Sequence, residues 1–86
     1  MMGEKKDKLL ARAISSPAQW KRKDIDGLYK AYGFIIISGA KHDIVKHPDF
    51  PGLRATLPRH TSVHKVYVET AVVIIKKLLE LKEIKR

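Results

Sequence analysis

Gly33-Phe34-Ile35-Ile36-Ile37-Ser38-Gly39-Ala40-Lys41-His42-Asp43-Ile44-Val45 is the stretch whose reading decides the fold. A run of β-branched residues follows a glycine, breaks at Ser38-Gly39, and resumes as a second short run that opens on His42. Each run is too short for a typical helix, is rich in Ile and Val, and is separated from the other by turn residues. The stretch therefore reads as a β-hairpin. It places a histidine beside a lysine and close to a glycine turn, which makes His42 the first candidate functional residue.

Upstream, Ile25, Leu28, Tyr29 and Tyr32 recur at i, i+3, i+4 and i+7, one face of a helix expected to begin near Asp24. Asp24 and Asp26 suit its first turn, where the positive end of the helix dipole favours carboxylates. Gly33 is the left-handed stop that hands the chain to the hairpin. Before it, Ala18 to Lys23 reads as a basic connector, with Trp20 as a packing anchor rather than a base-stacking platform. Lys5 to Ser15 reads as a first amphipathic helix, its stripe formed by Leu9, Leu10, Ala13 and Ile14 and its end set by Ser15-Ser16-Pro17.

Downstream, Lys46-His47-Pro48-Asp49-Phe50-Pro51-Gly52 is a loop by composition. Leu53 to Leu57 alternates apolar and polar, the pattern of a half-buried strand, and Pro58 ends it. Arg59 to Lys65 reads as a basic, histidine-bearing turn. From Tyr67 on, Val68, Ala71, Val72, Ile75, Leu78 and Leu79 recur at helical spacing, and no N-cap is evident. The order is α-α-β-β-β-α, an α+β sandwich with three antiparallel strands and helices on one face.

The 86 residues are expected to form one domain spanning 1–86. With 44% hydrophobic and 31% charged residues the chain is of the globular class. The absence of cysteine excludes a disulfide framework and a thiolate metal site, and it suits a reducing cytoplasm. The N-terminus leads into charge with no apolar signal core behind it, and no apolar run approaches the roughly 20 residues of a membrane span. A soluble cytoplasmic protein is expected. Eighteen Lys plus Arg against nine Asp plus Glu give a net charge of +9, spread along the whole chain. That balance calls for a polyanionic partner: nucleic acid, an anionic membrane surface or an acidic protein.

The four histidines, His42, His47, His60 and His64, all lie between the hairpin and the last helix. His60 and His64 have i, i+4 spacing, but their segment does not read as helix and nothing completes a metal set, so no metal or other cofactor is expected. His47 beside Pro48 and His64 before the helix read as inert surface residues. His42 sits where chemistry on RNA is conceivable. A base takes the 2′-hydroxyl proton, a cation stabilises the phosphorane, and an acid protonates the leaving 5′-oxygen. Histidine, with an ordinary pKa of about 6.5, suits both proton transfers. On residues alone, an inert histidine in a basic hairpin remains the competing reading.

From Lys8 to Leu81 the chain resembles the HicA family of toxins from bacterial toxin–antitoxin pairs, in the variant with an added N-terminal helix. The matching pieces are Leu9-Leu10-Ala11-Arg12-Ala13-Ile14, Ile25 to Phe34, His42-Asp43-Ile44-Val45-Lys46-His47-Pro48, Thr56-Leu57-Pro58-Arg59-His60 and the closing helix from Tyr67. The resemblance implies a fold like that of double-stranded RNA-binding domains. It implies an endonuclease that cuts mRNA, an mRNA interferase, until a HicB-like antitoxin blocks it, and it gives His42 the role of the family's catalytic histidine. In this chain Ala40-Lys41 precede that histidine where the family has Gly-Ser. On this reading Lys41 and Arg59 contact phosphate, and His60 and Lys65 complete the RNA-binding set. A non-catalytic RNA-binding or partner-binding module of the same fold is the alternative. The Phe34–Ile37 run puts apolar residues on both faces of a strand. The face without helices is expected to be covered by the N-terminal helix, by self-association or by the antitoxin.

Overall fold

The computed structural model describes the backbone of residues 2–84 and the side chains of residues 7–83. The first residues of the expected N-terminal helix therefore have side chains outside the described residues. The elements run α1 (Met2–Ser15), β1 (Trp20–Lys21), α2 (Arg22–Ala31), β2 (Ile35–Ser38), β3 (Asp43–Lys46), β4 (Arg54–Leu57), β5 (Ser62–Val63) and α3 (Lys65–Ile84). Strands β2, β3 and β4 form an antiparallel sheet in that order, and β1 pairs with β5. The domain is α+β, with three helices and a three-stranded antiparallel sheet, as the hydrophobic periodicities require.

The inner face of the sheet follows from register. Ile36, Val45 and Ala55 form one row across the strands, and Ser38, Asp43 and Leu57 the next. Side chains alternate along a strand, so these rows face the helices. Val45 and Leu57 are buried there against a core that includes Ile25, Leu28, Tyr29, Val68, Ala71, Ile75 and Leu78. The opposite rows are Ile35–Lys46–Arg54 and Ile37–Ile44–Thr56. Helix α1 packs on α2 and α3 and does not cover that outer face, where Ile35 and Ile37 stay exposed.

The end of α2 is built as its sequence suggests. Gly33 takes φ 86° and donates to the Lys30 carbonyl, while Phe34 N–H reaches back to the Tyr29 carbonyl, both at 3.1 Å. This pair of bonds closes a Schellman cap and sets the direction in which β2 leaves. The start of α2 lies earlier than expected, at Arg22 rather than Asp24. Asp24 is the third residue of the helix, and its carboxylate accepts the Lys21 N–H at 3.0 Å, so an acid taken for the first residue is the capping acceptor. Helix α3 also starts early, at Lys65, because His64 is its cap: Nδ1 accepts the Val66 N–H at 3.2 Å. Two residues of the expected apolar stripes, Ile14 and Leu79, are exposed.

The connector and the basic turn are not irregular. Trp20 pairs with Val63 and Lys21 with Ser62, and Arg22 N–H donates to the Thr61 carbonyl at 2.7 Å. Two-residue strands carry no readable period, and what holds them is burial of Trp20 and Val63. Trp20 anchors the ladder: its ring is 1% exposed, its indole N–H donates to the Ser16 carbonyl at 2.7 Å, and Arg12 stacks 4.5 Å from its centroid.

His47 is not a surface residue. It is 4% exposed, packed edge-on against Phe34 with centroids 4.9 Å apart and tilted on Phe50 at 5.4 Å. Its Nδ1 accepts the Asp49 N–H at 3.1 Å, which folds the Pro48 loop back over the ring. The aromatic residues of the loop, invisible to a reading by local composition, pull it inward.

Candidate nucleic-acid interface

β2 and β3 are joined by the four residues Gly39-Ala40-Lys41-His42, with Ser38 opposite Asp43. Gly39 N–H donates to the His42 carbonyl at 3.0 Å, closing the loop on itself. A side chain at residue 39 has no room, since its Cβ would stand 2.3 Å from that carbonyl oxygen. Ala40, Lys41 and His42 are exposed beyond this closure. The turn residues at Ser38-Gly39 are thus the lip of the hairpin, and strand β3 begins one residue after His42.

The loop is held from outside by Arg59. Its guanidinium donates to the Gly39 carbonyl and, at 2.9 Å, to Asp43 Oδ1, so it grips the backbone of the first loop residue and the side chain just after the loop. Asp43 Oδ2 takes a second guanidinium, Arg22, at 2.8 Å. Arg22 in turn binds Asp26 at 2.7 Å and the Pro58 carbonyl at 2.9 Å. The hydrogen bonds from Arg59 and then Arg22 hold the Asp43 carboxyl below its usual range. Burial opposes the Arg22 charge, but Asp26 and Asp43 outweigh it, and the guanidinium is held charged more firmly than usual. Asp43 is therefore an anchored anion rather than a proton acceptor. His42, next to it, is exposed on the loop.

Arg59 stands at the hairpin loop, with its Nε donating to Asp43 and its Nη2 to Gly39. His60 follows it in an exposed bend, and Lys41 extends from the loop itself. Lys65 opens α3 beyond the β1–β5 ladder. Among the described residues no hydrogen bond or ion pair ties it to the loop. The ladder brings Lys21 opposite Ser62, so a basic segment before α2 lies beside the basic segment Arg59–Lys65. Among the described residues no group of three His, Cys, Asp or Glu side chains is placed to hold a metal ion, and no helix is long and apolar enough to cross a membrane.

Arg22 and Asp43 are the members of this site that sequence reasoning missed. The signals were present: Arg22 and Asp26 are an i, i+4 pair, and Asp43 is an acid next to the candidate histidine in a strongly basic chain. No family model, curated protein or solved structure matches the chain.

Proposed function

We propose that this protein is a small RNA-binding domain of the double-stranded RNA-binding type that cleaves RNA through His42, a HicA-like mRNA interferase acting in the cytoplasm under control of a HicB-like antitoxin. The observation that carries the reading is the Arg59 grip on Gly39 and Asp43, which fixes both ends of an exposed loop bearing Lys41 and His42. A proton-transfer group is useful only when held at a constant distance from its substrate, and a pinned backbone supplies that constraint. In the proposed reaction His42 takes the 2′-hydroxyl proton and the 2′-oxygen attacks phosphorus. Lys41 and the adjoining basic segment stabilise the added charge, and the imidazolium of His42 returns the proton to the leaving 5′-oxygen, directly or through a water molecule. The products are a 2′,3′-cyclic phosphate and a 5′-hydroxyl end.

A second reading has its own observation: Arg22 and Arg59 are both paired with Asp43, which leaves Lys41, His60 and Lys65 to meet phosphate. On that reading the domain binds RNA or a protein partner without cutting it. One set of experiments separates the two. His42→Ala is expected to lower the rate of RNA cleavage by about 10²–10⁴ and leave the melt unchanged, with wild-type cleavage persisting in chelator. RNA binding without cleavage by wild type would leave the binding module, and equal cleavage by wild type and His42→Ala would move the chemistry to His60. With a net charge of +9, binding is expected to weaken steeply as salt rises, and a flat salt dependence would remove the electrostatic basis of both readings.

A further inference from the structure

The free edge of β2 and the outer face beside it take no part in the RNA reading, yet two features coincide there. The first is backbone. β2 is an edge strand, with β3 its partner in the sheet. In an antiparallel pair, alternate residues exchange both bonds with the neighbour. The bond from Gly39 N–H to the His42 carbonyl lies in the same register as the pairs Ile37–Ile44 and Ile35–Lys46. Ile35 and Ile37 therefore bond to β3, and the N–H and C=O groups of Ile36 and Ser38 point away from the sheet. The second feature is side chain. Ile35 and Ile37, 44% and 41% exposed, stand on the outer face beside half-buried Ile44. β2 carries neither the proline nor the charged side chain that commonly protects an edge.

We infer that this edge and face are a docking surface for an extended segment of an acidic polypeptide, added as a fourth strand beside Ile35–Ser38. Main-chain groups of Ile36 and Ser38 supply the bonds, and apolar side chains of the incoming strand lie against Ile35 and Ile37. Charge selects the occupant. Lys46 and Arg54 stand in the same outward row as Ile35, and among the described residues neither is ion-paired. Lys41 and Arg59 lie past the Ser38 end. A second copy of the chain would bring its own +9 charge against this surface. RNA would find isoleucines where single strands need aromatic rings to stack on. The inference rests on β2 and its neighbours and stands whether or not the chain cuts RNA.

The test uses the full chain and a capped ten-residue peptide alternating valine with glutamate. The peptide is expected to bind and to slow hydrogen exchange at the Ile36 and Ser38 amides by about tenfold or more. The double variant Ile35→Thr/Ile37→Thr should weaken binding about tenfold. Both positions are exposed, so the thermal melt and RNA affinity should be those of wild type. Equal binding of a lysine–valine peptide would overturn the charge argument. Binding without protection of those two amides would overturn the strand addition, as would the absence of binding. Protection of the same amides in a dimer of the chain alone, or by an RNA oligonucleotide at low salt, would assign the surface to that occupant instead.

Discussion

Strand β3 has a histidine just beyond each end, and the two live in opposite surroundings. His42 leads into the strand from a loop that is closed by a backbone bond and gripped by an arginine, and its side chain meets solvent. His47 follows the strand and is enclosed by Phe34 and Phe50, its Nδ1 occupied by the Asp49 N–H. The difference arises from what flanks each. Gly39 and Lys41 form a loop with nothing apolar to bury. Pro48-Asp49-Phe50 forms one that turns back on the core. The imidazole at residue 47 also stands 3.2 Å from where a Cβ at Gly33 would be, so it ties the end of β3 to the cap of α2. A histidine at a strand end is thus presented to solvent or packed into the core according to its loop, and the residue type alone does not decide.

Exchanging the two histidines for alanine should cross their effects. After the loss of cleavage expected for His42→Ala, the largest change is expected in His47→Ala. It removes a buried, hydrogen-bonded ring between two aromatics, and should cost about 2–3 kcal/mol in denaturant unfolding. RNA affinity measured well below its lowered melt should remain that of wild type. A His47→Ala variant as stable as wild type would dissolve the contrast between the two ends.

Gly39→Ala sharpens the contrast from the loop side. The new methyl meets a backbone oxygen, which cannot swing aside as a side chain can, so the loop must open. Destabilisation of about 1–2 kcal/mol is expected, together with a cleavage defect larger than any partial unfolding accounts for. Wild-type turnover in this variant would show that the loop closure does not matter to His42.

The smallest effect is electrostatic. Asp43 has its folded pKa depressed by Arg59 and Arg22, so its stabilisation is present above the unfolded carboxyl value and is lost as pH falls through the folded one. The wild-type melt should therefore drop on acidification below about pH 4, the ordinary carboxyl value. Asp43→Asn should lower the melt at neutral pH and flatten that part of the acid limb. Parallel acid limbs in the two proteins would show that the two arginines do not hold the carboxylate.

How far the site was legible varies by residue. His42 and Lys41 could be placed on the hairpin because the isoleucine run and Ser38-Gly39 mark it locally. Arg59 could be put near them only through the order of the strands. Its actual bonds depend on β4 delivering it to the far side of Gly39, a matter of sheet register. His47 was misjudged because its burial comes from Phe34 and Phe50, one before the hairpin and one after β3. Arg22 was passed over because its partner Asp43 is twenty-one residues away along the chain and adjacent only through packing.

By itself the sequence determined the class of the fold, the three helical stripes, the Gly33 cap, the hairpin and the strong basic character. These are read from periods of 2 and 3.6 residues, from single turn residues and from counted charge, all local quantities. Only the tertiary structure decided the Trp20–Val63 ladder, the burial of His47, the double arginine hold on Asp43 and the exposure of Ile35 and Ile37. Each of these depends on which distant segments meet, and a two-residue ladder or a single ion pair has no period for the sequence to display. The outward isoleucines are the sharpest instance: alternation says that one face of β2 must turn away from the helices, but only the packing of α1 onto α2 and α3 left that face open.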